Sequence, residues 1–137
     1  MKLTKTRRAY FEAARAVSEL SDFPKVKVGA VAVSGHRIIS SGHNSKKTAP
    51  IQKKYNICRF SEDTIHSLHA ELKCLKPLIG RKDIDFKHVD LYVYRAGKNT
   101  ALLARPCPSC MKLITELGIR NIYYTTNEGY SHENILE

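Results

Sequence analysis

Val89-Asp90-Leu91-Tyr92-Val93-Tyr94 opens the stretch that decides the fold, which runs on through Met111, Ile114 and Leu117 to Ile122-Tyr123-Tyr124-Thr125. Val89, Leu91 and Val93 alternate with Asp90, Tyr92 and Tyr94, the two-residue period of a strand. Met111, Ile114 and Leu117 recur at helical spacing. Pro108 stands where a first helical turn tolerates a missing N–H, and Gly118 marks the stop. Ile122 to Thr125 is again β-branched and aromatic, and Arg95 to Arg105 is expected to be a loop. Strand, helix, strand in this order predicts a parallel pair joined by a right-handed crossover.

Upstream, Tyr10, Ala13, Val17 and Leu20 predict an amphipathic helix over about Thr4 to Ser21, ended by Pro24. Val26 to Val33, the turn Ser34-Gly35 and Arg37 to Ser40 read as a hairpin. From Ser41 to Ser61 periodicity is lost while Gly42, Asn44, Ser45, Pro50 and several lysines accumulate, so a long loop is expected, of the kind that is usually functional or disordered. Leu68, Leu72, Leu75 and Ile79 mark a second helix from near Ser67 to Gly80. The whole is expected to be a single-domain α/β sandwich; 137 residues suffice for one core, and a second domain is not expected.

Two motifs sit where the second and third helices begin: His69-Ala70-Glu71 and Pro106-Cys107-Pro108-Ser109-Cys110. One imidazole and two closely spaced thiolates can hold zinc with its fourth position open, which separates a catalytic ion from a structural one. A carboxylate two residues from the histidine can act as general acid and base on the attacking water without being a ligand. Helix N-termini favour thiolates. A bare Cys-x-x-Cys can also be a redox pair or half of a structural knuckle. A redox pair leaves His69 and Glu71 unexplained, and a structural site lacks a fourth ligand, because Cys58 and Cys74 are lone residues. Both read most simply as unpaired thiols, small hydrophobes rather than reactive groups.

Formal net charge is +10. Between Phe23 and Ser61 there is no Asp or Glu, but Lys25, Lys27, Arg37, Lys46, Lys47, Lys53, Lys54 and Arg59 are present. Such a field attracts an anionic partner; the plain alternative is a solubilising face. Met1 to Arg8 is basic but lacks the apolar run of a signal peptide, and no segment has the length and apolarity of a membrane span. The expectation is a cytoplasmic, intracellular protein with reduced thiols and no membrane partner.

With these residues in place the chain resembles the cytidine and deoxycytidylate deaminase superfamily, from Lys27-Val28-Gly29-Ala30-Val31-Ala32-Val33 to Ile122-Tyr123-Tyr124. A His-x-Glu followed by Pro-Cys-x-x-Cys is the signature of zinc deaminases. Ser41-Gly42-His43-Asn44, the long step from Asn44 to His69, and Arg105 to Met111 followed by Gly118-Ile119 are most similar to the deoxycytidylate deaminases and their bacteriophage relatives. The resemblance implies a three-layer α/β/α sandwich with a mixed sheet of roughly four to five strands. It also implies one catalytic zinc on His69, Cys107 and Cys110, with Glu71 as proton shuttle. Asn44 matches the residue that hydrogen-bonds the sugar or base edge, and Gly29 and Ala30 the strand beneath the base. A glycine inside a strand is independently consistent with a closely approached backbone. The plain alternative for Asn44 is a turn residue that tolerates left-handed geometry.

The family often continues with another helix and strand, whereas Thr126 to Glu137 allows only a short strand or packed tail, a shortened C-terminal end. A second zinc site on Cys58, Glu62 and His66 matches no trusted spacing. The resemblance implies a homo-oligomer, and a phage-encoded protein acting in a host cytoplasm would fit it. The expected activity is zinc-dependent deamination of a cytosine nucleotide, dCMP to dUMP, with Lys46, Lys47 and Arg59 among the residues available to meet the phosphate. Tyr55 in the same loop reads as an anchor before it reads as a stacking platform. Two other functions compete: a deaminase of bases in single-stranded nucleic acid, where the same charge would follow a backbone, and a zinc-stabilised binding module without turnover.

Overall fold

Helix α1, Lys5–Ser18, starts at Thr4, whose hydroxyl accepts the Arg7 amide at 3.1 Å and so satisfies one of the first turn's unpaired donors. The computed structural model describes residues 3–23, 26–45, 69–97 and 100–135. Strand β1, Lys27–Ser34, and strand β2, Arg37–His43, form the expected hairpin. Its two connecting residues, Gly35 and His36, both have positive φ (57° and 64°), as a two-residue turn matched to strand twist requires. Helix α2 is Ala70–Leu75, followed by strand β3, Val89–Ala96, the two-residue strand β4, Ala101–Leu102, helix α3, Pro108–Leu117, and strands β5, Asn121–Thr126, and β6, Gly129–Asn134.

The sheet order is β2-β1-β3-β5-β6, with β4 paired to β3 at its end. Only β3 and β5 run parallel, joined through α3; the other pairs are antiparallel. The architecture is the expected three-layer sandwich. Alternation along the strands sorts the core into two faces. Ala30, Ala32, Leu91, Val93 and Ile122 pack with Leu72, Leu75, Leu113 and Ile114 under α2 and α3. Val31, Val33, Tyr92 and Tyr123 pack with Phe11 and Ala14 of α1.

Several expectations need correction. The sheet has five strands along its path plus β4, which forms inside the segment expected to be a loop because β3 runs on to Ala96 and folds back on itself. Ser41 to His43 belongs to β2, since these residues keep pairing with Gly29 to Val31. Helix α2 is shorter than expected: Pro77 cannot donate to a helical ladder, and Lys76–Leu78 tightens into a 3₁₀ turn. Helix α1 stops at Ser18, so Leu20 is 68% exposed, and the buried line is Phe11, Ala14 and Ser18, with Tyr10, Ala13 and Val17 at its flank. In α3 the buried residues are Ser109, Cys110, Leu113 and Ile114, with Met111 and Leu117 only partly covered. The tail meets its expectation of a short strand: it forms β6 at the edge of the sheet on β5. No helix among the described residues is long and apolar enough to cross a membrane.

Candidate metal centre

His69 is the N-cap of α2 and Cys107 the N-cap of α3, both with extended backbone (φ −81°, ψ 147° and φ −70°, ψ 167°). Their carbonyls already accept the first helical bonds, from Lys73 and Met111, so each side chain is fixed at the mouth of its helix. Cys110 lies one turn into α3 and is fully buried. The two helices share one face of the sheet, which brings the residues together. His69 Nδ1 is 3.3 Å from Cys110 Sγ and 3.4 Å from Cys107 Sγ.

The donor atoms of His69, Cys107 and Cys110 all lie within 4.8 Å of one another, and this is the one such metal-competent group among the described residues. A tetrahedral zinc with ordinary Zn–N and Zn–S lengths sets nitrogen and sulfur about 3.5 Å apart. The observed separations meet that requirement, so the residues fit the ion. Cys107 is also prepared chemically. Contacts from Cys110, His69 and the Ser109 hydroxyl outweigh desolvation and pull its thiol down to about 3. Ser109 Oγ, fully buried, stands 3.1 Å from Cys107 Sγ. It occupies the second variable position of Cys-x-x-Cys, and its hydroxyl beside a thiolate was the signal available for it.

Glu71 is buried in the first turn of α2. Burial raises its carboxyl above the ordinary value, and the neighbouring His69 partly offsets this. Cys74 on the same helix is fully buried and its thiol is pushed up to about 12 by desolvation, the inert hydrophobe expected of it.

The remaining candidates fall in three places. Asn44 is buried at the end of β2; its Oδ1 accepts the Val28 amide and its Nδ2 donates to the Val26 carbonyl, both at 2.9 Å. It is therefore a clamp on the entry to β1, and it is not in left-handed geometry, which among the described non-glycine residues is found only at His36. Gly29 is closely approached, but by α1: a Cβ there would lie 2.5 Å from the Ser18 amide nitrogen. Ala30 points to the opposite face, the one shared with α2 and α3. Lys46, Lys47 and Arg59, with Lys53, Lys54, Tyr55, Cys58, Glu62 and His66, lie outside the described residues.

Sequence reasoning missed two supports. Gly42 lets α2 lie directly on β2, where Ser40 Oγ also donates to the Cys74 carbonyl at 2.6 Å. A glycine two places from a serine inside a strand was the signal. At the other end, Arg105 pairs with Glu133; nothing local in the sequence links two residues so far apart.

The sequence profile of the cytidine and deoxycytidylate deaminase zinc-binding region matches residues 4–126. A deoxycytidylate deaminase of Schizosaccharomyces pombe is 30% identical over an alignment of 129 residues that covers 86% of this chain and 36% of that protein. The chain thus spans about a third of that relative's length. Among solved structures, the apo dCMP deaminase of cyanophage S-TIM5 superposes with a TM-score of 0.66 at 23% identity, covering 91% of this chain and 86% of that one. The same enzyme crystallised with dCMP and dUMP gives 0.64 at 24% identity, with 92% and 85% covered. A cytidine deaminase from Burkholderia pseudomallei gives 0.63 at 19% identity, with 96% and 93% covered. At these identities the likeness is one of fold.

Proposed function

Because the chain belongs to the cytidine and deoxycytidylate deaminase family, we propose that it is a zinc-dependent hydrolase that removes the 4-amino group of a cytosine nucleotide, converting dCMP to dUMP with release of ammonia. The observation that carries this reading is the convergence of His69, Cys107 and Cys110 beside the buried carboxyl of Glu71. A closed structural site would need a fourth protein donor, and a redox pair would need neither His69 nor Glu71.

His69, Cys107 and Cys110 would hold the ion. When bound, zinc lowers the pKa of a coordinated water toward neutrality and so supplies a nucleophile at physiological pH. Glu71 takes the proton of the attacking water and delivers it to the ring nitrogen beside C4. It then passes the second proton to the amino group, which leaves as ammonia while the C4 carbonyl forms. Burial suits this work, because a carboxyl whose pKa is raised lies nearer the operating pH, where a proton carrier both accepts and gives. Ser109 keeps the Cys107 sulfur in place with its hydroxyl.

For the substrate contacts, Asn44 holds the end of β2 and the entry to β1 in register and offers its remaining amide hydrogen to the sugar or base edge. Gly29 and Ala30 form the strand beneath the base. Lys46, Lys47 and Arg59 supply the charge that meets the 5′-phosphate. The test is ammonia release across cytidine and deoxycytidine, their mono-, di- and triphosphates, and single-stranded oligonucleotides. Turnover of dCMP far above the rest is expected. Turnover of oligonucleotides alone would replace a mononucleotide substrate by a nucleic-acid strand.

A further inference from the structure

The segment that delivers Cys107 is tied to the C-terminal strands at every step. Thr125 Oγ1 donates to the Leu102 carbonyl at 2.6 Å, the Leu103 amide donates to Asn127 Oδ1 at 3.0 Å, and the Ala104 amide donates to the Thr125 carbonyl at 2.9 Å. The last tie before the metal motif is a side-chain one. Arg105 Nε donates to Glu133 Oε2 at 2.6 Å and its second nitrogen to Oε1 at 3.2 Å, the two-pronged geometry in which a guanidinium fixes orientation as well as charge. The Tyr124 hydroxyl donates to the same Oε2 at 2.7 Å and so holds the carboxylate from the sheet side.

These contacts have a direction. Glu133 stands on β6 opposite Ile122, so its backbone is set by the sheet, and Tyr124 sets its side chain. Arg105 is the partner that must be held, separated from Cys107 by Pro106 alone. Pro106 is buried and has a restricted backbone, so the orientation of Arg105 passes to the N-cap of α3 with little slack.

We infer that Glu133, held by Tyr124, is a positioning residue for the metal centre: through Arg105 it fixes the Cys107 sulfur, and the short tail strand β6 is part of the zinc site's scaffold. This rests on the assignment of Cys107 as a zinc ligand given above. Bidentate geometry and a third partner set the pair apart from an ordinary surface ion pair, whose contribution is small.

The experiment is a double-mutant cycle on the full chain, read as zinc affinity by competition with a chromogenic chelator and as the thermal midpoint of the metal-free protein. Arg105→Gln and Glu133→Gln are each expected to weaken zinc binding about 10-fold, the lower end of the effect of outer-shell partners. The double variant should be no worse than either single one, because each change breaks the same link. Tyr124→Phe removes only the hydroxyl and should weaken binding about threefold, the low end of one hydrogen bond. It also carries the test if Glu133→Gln does not fold. Cys107→Ala is the control and should lose zinc. Unchanged affinity in the Arg105, Glu133 and Tyr124 variants, with zinc lost in Cys107→Ala, overturns the inference and leaves the ligand set standing. Losses that add in the double variant overturn it as well. So does a fall in affinity that only mirrors an equal loss of metal-free stability. Zinc retained by Cys107→Ala overturns the ligand assignment, and the inference with it.

Discussion

Gly42 of β2 and Ala70 of α2 lie so close that a Cβ on the glycine would stand 2.7 Å from the Ala70 carbonyl oxygen. Ala70 is the residue between His69 and Glu71, so this approach sets how deeply the proposed ligand and the proposed proton carrier sit over the sheet. Gly42→Ala must push α2 away from β2. The expected cost is about 1–3 kcal/mol of stability, the usual range for overpacking, together with weaker zinc binding. Denaturant unfolding and zinc titration of the variant check both. An unchanged midpoint would mean that the helix moves freely and that the contact does not set the site.

Glu71→Gln keeps the size of the side chain and removes its proton chemistry. Zinc content and fold should persist while turnover falls by ~10² to 10⁴, the range attributed to a general acid–base group. Metal analysis beside ammonia-release rates decides this. Loss of zinc in the variant would make Glu71 a ligand instead of a carrier.

The two motifs were legible because their residue types and spacing are dictated by metal chemistry, and the strands because Val89, Leu91 and Val93 alternate and Ile122 to Thr125 is an unbroken β-branched and aromatic run; that Tyr92 and Tyr123 are buried as well was hidden, because α1 covers the second face of the sheet. The helices were legible in place, and α2 in phase as well, with Leu72 and Leu75 fully buried as expected, but α1 and α3 are turned from their expected lines. The expected line Tyr10, Ala13, Val17 and Leu20 lies beside the true one, because Ala14 and Ser18 are small enough to let α1 down onto Gly29, and small residues carry little hydrophobic signal. Pro77 shortened α2, and β4 formed because β3 outran its apolar run. Cross-sheet ties such as Arg105 to Glu133 leave no periodic mark, so only the folded chain reveals them.

The cysteines should separate by reactivity. In metal-free protein Cys107, with its thiol near 3, is a thiolate at neutral pH, and alkylation mapped by peptide mass spectrometry should find it modified well before Cys74. Cys74, pushed from 9.0 up to about 12, should react only on unfolding. The raised value also fixes a pH dependence. The folded state favours the neutral thiol, so that contribution is complete below pH 9.0 and is lost as pH rises toward about 12, where the unfolded chain ionises first. Cys74→Ala should flatten the decline of stability in that alkaline window. A parallel decline in the variant would remove Cys74 as its source.

Asn44 and the basic residues that follow it should fail in different ways. Both polar atoms of the Asn44 amide engage the β1 entry, at Val26 and Val28, so Asn44→Ala leaves a part-buried amide and a part-buried carbonyl without those partners. That costs about 1–3 kcal/mol of stability, and kcat/KM should fall alike for deoxycytidine and dCMP, since neither the backbone clamp nor a contact to the sugar or base edge depends on the phosphate. Lys46→Gln, Lys47→Gln and Arg59→Gln act on charge. If one of them meets the phosphate, its loss should weaken dCMP turnover by about 1.5–3 kcal/mol, the scale of a hydrogen bond to a charged group, and leave deoxycytidine nearly untouched. The measurement is kcat/KM for both substrates in each single variant, with unfolding midpoints alongside. Equal losses on nucleoside and nucleotide across all three basic positions would remove the phosphate role from Lys46, Lys47 and Arg59, and a selective loss in Asn44→Ala would move it to the clamp.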